Sequence, residues 1–158
     1  MSRRIKTIFF VILLVSQILI NRYTQSLKLN IDLFFLILIY ISIKSNYLKV
    51  IIVGTIIGLI TDHFSGYTVM GVYGFARTIT AYLIFELAKY LDLKRNSFIF
   101  LLIFTSLCMS NFIANVFFYF TAGLNININM VLYQPFLTAV IGLILISSKK
   151  IKDLLNVY

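Results

Sequence analysis

Asp62 and His63 stand side by side, Ser65 follows two residues on, and Arg77 lies downstream in otherwise apolar sequence. A serine beside an imidazole could serve as a nucleophile with its base. A carboxylate next to an imidazole could relay a proton. An arginine in apolar surroundings could mark a transport path or a catalytic group. Sequence context argues against the first two, and Arg77 is read first as a buried structural pair. His63 is the one histidine in the chain, and neither it nor Ser65 has a third group in the sequence to orient it. No carboxylates are closely paired, no glycine loop has phosphate-cradling spacing, and no cluster has metal-ligand spacing. The lone Cys108 sits in an apolar run without a partner. The sequence is therefore read as having no catalytic residues, no metal and no cofactor.

These residues all belong to one stretch, GTIIGLITDHFSGYTVMGVYGFAR from Gly54 to Arg77, which holds five of the seven glycines. Gly54, Gly58 and Asp62 repeat every four residues and share one helical face. Glycines at that spacing let two helices approach backbone to backbone, so the stretch reads as a helical hairpin whose seam is Gly54, Gly58, Asp62, Gly66 and Gly71.

The elements around it are apolar. Of 158 residues, 61% are hydrophobic and 12% charged, and the mean hydropathy is +0.99. A soluble domain carries about a quarter charged residues. At ~20 residues per span, the expected fold is an all-α bundle of six transmembrane helices filling a single domain. Hydropathy and polar breaks place the helices at 6–21, 29–43, 47–64, 70–90, 97–122 and 130–146. The first has the charge order of a signal peptide, but Asn21, Arg22 and Tyr23 follow where small residues would mark cleavage, so it is read as an uncleaved helix. Asp32 near the start of the second suits the positive end of a helix dipole. Residues 123–129, GLNININ, are read as a short extended loop, and Pro135 falls near the start of the last helix.

The net charge of +9 follows the topology. With the N-terminus inside, Arg3, Arg4, Lys6, Lys44, Lys49, Lys89, Lys94, Arg95, Lys149, Lys150 and Lys152 are cytoplasmic, and only Arg22 and Lys28 are outside. That bias is the positive-inside signal. It places both termini in the cytoplasm and the basic face against anionic lipid. It makes nucleic-acid binding unnecessary.

Arg77 lies two turns into the fourth helix, roughly 10 Å below its outer end. Glu86, nine residues on, projects from the opposite face. The expected partner is Asp62 across the hairpin, near the outer surface where its carboxylate still reaches water; Asn111 and Asn115 on the fifth helix are the alternative. Gly74, Thr78 and Ala81 continue a small-residue face. Cys108, Asn111 and Asn115 form one polar stripe, and Gln134, Thr138 and Gly142 another. Asn111, Asn115 and Gln134 are thus candidate intramembrane contacts, best read as packing.

The hairpin resembles the MreD family of rod shape-determining proteins. The resemblance is carried by Gly54, Gly58, Leu59, Ile60, Asp62, Ser65, Gly66, Gly71, Ala81, Tyr82 and Leu83, with Pro135 and the basic end after it in support. It implies a small inner-membrane protein of the bacterial wall-elongation machinery. Its implied partners are a bitopic MreC-like protein and, through it, the peptidoglycan synthases. The alternative is a substrate-binding membrane subunit of a vitamin or metal transporter, which also has six short helices. Such subunits often show Ala-x3-Ala in the first helix, and this first helix contains no alanine.

Overall fold

The computed structural model describes residues 31–65, 69–91, 95–123 and 128–146. The predicted first helix at 6–21, Gly66 and the basic tail lie outside the described residues. Within them the chain is all-α: α1 (Leu33–Lys44), α2 (Tyr47–Ser65), α3 (Val72–Ala88), α4 (Asn96–Ala122), a π-turn (Asn129–Tyr133) and α5 (Gln134–Ile146). Each helix packs on the next in sequence, and α1 also touches α3, α4 and α5.

Tyr47–Phe64 and Asn96–Ala122 are long and apolar enough to cross a membrane; Leu33–Lys44 and Asn129–Leu145 are shorter apolar helices. By helical rise the 27 residues of α4 reach about 40 Å, beyond the ~30 Å of hydrocarbon. The 12 residues of α1 reach about 18 Å. This short helix is apolar on every side, and it is also the most enclosed. Phe34, Phe35, Leu36, Leu38, Ile39 and Ser42 are buried, and the five apolar ones form the main core with Val50, Ile57, Ile84, Leu102, Ile103 and Leu107. A helix apolar all round has no face to spare for water and is placed at the centre.

Backbone geometry sets three of the boundaries, and two of these differ from the sequence reading. The fourth predicted helix starts at Val72 instead of Met70, because Gly71 has φ +94°, a left-handed conformation that costs glycine little and other residues more. At the other end of the next helix, Gly123 is also left-handed (φ +63°), and its N–H donates to the carbonyls of Phe118 and Tyr119, the glycine stop that satisfies terminal carbonyls. The extended loop predicted to Asn129 ends sooner: Ile128 is already helical and Asn129 opens the π-turn. Pro135 follows directly. It has no N–H to give the carbonyl one α-turn back and its ring would press on that carbonyl, so the wider turn ahead of it relieves a conflict that a regular helix could not.

Candidate functional site

At Gly54 and Gly58 α2 comes close to α3, whereas a Cβ on Gly71 would meet nothing within 4 Å. A Cβ on Gly54 would stand 3.0 Å from Ala81 Cβ and 3.2 Å from the Arg77 carbonyl; one on Gly58 would strike the Tyr73 carbonyl and stand 2.5 Å from Gly74 Cα. The obstacle at Gly58 is backbone, which cannot rotate away. Beside this contact, Thr55 and Thr78 hydrogen-bond hydroxyl to hydroxyl at 2.9 Å.

Asp62 does not pair with Arg77, and it is not water-exposed: it is 3% exposed. Its Oδ1 accepts from the Tyr73 N–H at 2.9 Å, and its Oδ2 from the N–H groups of Gly71 (3.1 Å) and Gly74 (2.9 Å). The last turn of α2 thus caps the first turn of α3. The reason is economy of partners. The opening N–H groups of a helix have no intrahelical acceptor, and a carboxylate there also meets the positive end of the dipole. His63 is exposed and lies edge-on to Phe64.

Arg77, 2% exposed, pairs instead with Asp32. The Asp32 carboxylate is shared: Oδ1 accepts from Phe35 N–H at 3.0 Å, the N-cap bond expected from its position, and Oδ2 meets the guanidinium. The Asp32 N–H donates to Thr138 Oγ1 on α5 at 3.3 Å. The guanidinium carbon lies 5.9 Å from the Phe35 ring centre and 5.8 Å from that of Tyr73, so aromatic faces cover the cation. Arg77 Nη1 is buried with no hydrogen-bond partner among the described residues. A neutral pair in a low-dielectric interior is held mainly by the cost of leaving either charge alone. Here it ties α1, α3 and α5 together.

The sequence signal for this pair was depth. The second predicted helix begins at the same membrane face as the fourth, so Asp32 and Arg77 fall at similar levels. Reading Asp32 only as a dipole partner left its second oxygen unassigned.

The asparagines join each other and α5, and neither reaches Arg77. Asn111 Nδ2 donates to the Met130 carbonyl at 2.7 Å and more weakly to Gln134 Oε1 at 3.4 Å, while Asn115 Nδ2 donates to the Asn111 carbonyl at 2.8 Å. Of their stripe companions, Thr138 and Gly142 are buried; a Cβ on Gly142 would stand 2.7 Å from Leu36 Cδ2 and 2.9 Å from Ile103 Cδ1. Glu86 faces away from Arg77 and bonds Lys89 at 2.8 Å.

Three of the polar contacts among the described residues stand out: a backbone-capping carboxylate, a buried ion pair and an amide stitch. Each joins helices. No curated protein and no solved structure matches the chain. The family model described as rod shape-determining protein MreD matches residues 3–147, a span that includes the hairpin, the ion pair and the amide stitch. On that match the chain is a membrane protein that belongs to the MreD family of rod shape-determining proteins.

Proposed function

We propose that this chain is a non-enzymatic scaffold of the bacterial wall-elongation machinery, acting with an MreC-like bitopic partner and, through it, the peptidoglycan synthases. The family match over residues 3–147 carries the reading. The buried Asp32, Asp62, Arg77 and Asn111 support it, because each bonds a neighbouring helix or turn. The transporter alternative has no support from the comparisons.

In this reading the chain crosses the cytoplasmic membrane six times, with both termini inside. The described charges favour that orientation. Lys44, Lys49, Lys89 and Arg95 flank the α1–α2 and α3–α4 connections, which successive antiparallel helices bring to one end. At the other end no lysine or arginine is exposed among the described residues. The basic end would meet anionic headgroups, each cation adding about 1 kcal/mol of attraction.

Depletion tests the reading directly. Rod-shaped cells should become round, and affinity capture from membranes should recover the bitopic partner. Unchanged morphology combined with loss of uptake of a single solute would overturn it.

A further inference from the structure

α3 is the least apolar of the five described helices. Its 17 residues include Gly74, Thr78, Thr80 and two charged side chains, Arg77 and Glu86. Unlike α2 and α4, it does not combine the length and apolarity needed to cross a membrane. Yet it packs against α1, α2 and α4, with Arg77 and Thr80 buried among its apolar residues.

Two features make α3 a poor guest in lipid, and each is met by a carboxylate from earlier in the chain. The first is the Arg77 guanidinium, which pairs with Asp32 Oδ2 at the head of α1. The second is the set of N–H groups at Gly71, Tyr73 and Gly74, which donate to Asp62 near the end of α2. Acyl chains give a cation no counter-charge and an N–H group no acceptor. A lone α3 would bear both costs; against α1 and α2 it bears neither. Asp32 is also equipped to precede its partner. Its Oδ1 is already bonded by the Phe35 N–H of its own helix, which leaves Oδ2 for the arginine.

We infer that α3 is a conditional span: it enters the membrane by docking onto α1 and α2, and the Asp32 carboxylate is the group that admits Arg77. The inference rests on the six-span reading proposed above. It adds an order of assembly, in which the helices that supply the carboxylates are secured first and the helix that needs them follows.

The test is cell-free synthesis of the full chain into inverted inner-membrane vesicles. The chain carries Cys108→Ala and one new cysteine at Met70 or Tyr90, exposed residues near the two ends of α3. A membrane-impermeant maleimide then reads which end faces the medium. With no other substitution, Tyr90→Cys should react in intact vesicles and Met70→Cys only after detergent. Asp32→Asn keeps a capping oxygen for α1 and removes the charge. It should leave both ends of α3 on one side of the membrane. Wrong-side reaction (protection of Tyr90→Cys, or labelling of Met70→Cys in intact vesicles) should rise about fivefold or more, because an unpaired cation is expensive within a span. Adding Arg77→Leu should return it to background, since α3 then needs no counter-charge. Correct placement of both ends with Asp32→Asn overturns the inference and leaves the spans standing. A defect that persists with Arg77→Leu also overturns it, by tracing the fault to the other bonds of Asp32. Reaction of both ends from one side without Asp32→Asn overturns the six-span reading and the inference with it.

Discussion

Asp62 and Asp32 are both buried carboxylates that cap a helix N-terminus, yet they hold the molecule in different ways. Asp62 is spent on the backbone of the next helix, over a contact so close that Gly58 cannot bear a methyl group. Asp32 divides itself between its own helix and a cation 45 residues away. The first arrangement has no slack and involves one short stretch of chain. The second depends on a long, flexible side chain and on burial to make its charge costly to expose. The seam joins α2 to α3, and the cluster around Asp32 gathers α1, α3 and α5.

Substitutions can separate the two. The largest effect is expected at the ion pair: Arg77→Ala leaves the Asp32 carboxylate buried and alone, and should destabilise the chain by about 3–5 kcal/mol in detergent-micelle unfolding. The Asp32→Ala/Arg77→Ala double variant should recover part of that loss. An Asp62→Ala/Arg77→Ala cycle should be near additive. Strong coupling in the second cycle and none in the first would reverse the assignment made here.

Gly58→Ala comes next. It must push α2 and α3 apart against the Tyr73 carbonyl and should cost about 3 kcal/mol, the upper range for overpacking. Gly54→Ala meets a methyl at 3.0 Å and should cost less. Equal losses at the two glycines would show that the seam is not closest at Gly58. Asp62→Asn retains one carbonyl oxygen but turns an amide towards N–H donors, so a loss of about 2 kcal/mol is expected from a charge-assisted cap. The smallest effect belongs to the amide stitch. Asn111→Ala should cost about 0.6–1 kcal/mol and increase hydrogen exchange in the π-turn without altering the hairpin.

This contrast also explains what could be read in advance. Helices at Tyr47–Ser65 and Asn96–Ala122 followed from apolar length and polar breaks, and the Gly54–Gly58–Asp62 face from spacing alone. Asp62 was placed on the right seam but given the wrong partner. A side-chain charge was sought for it, while the nearest unsatisfied donors were main-chain N–H groups, which no residue letter advertises. The Asp32–Arg77–Thr138 cluster joins positions 32, 77 and 138, and only depth in the bilayer relates them before the fold is known. Of the predicted inward stripes, Asn111 and Asn115 are buried and Gln134 is half-buried. That Asn111 reaches the Met130 carbonyl depends on the π-turn, which local pattern does not reveal.

The π-turn has a further consequence, in terms of chain length. A π-turn closes with one residue more than an α-turn, so residues 129–133 hold a surplus position immediately before α5. A one-residue deletion there would let the turn close as α-helix and leave Thr138 and Gly142 facing α1. The same deletion inside α5 would rotate the segment beyond it by about 100°, carrying Gly142 away from Leu36 and Ile103. The approach to α5 is therefore where this chain can change length by one and keep its bundle.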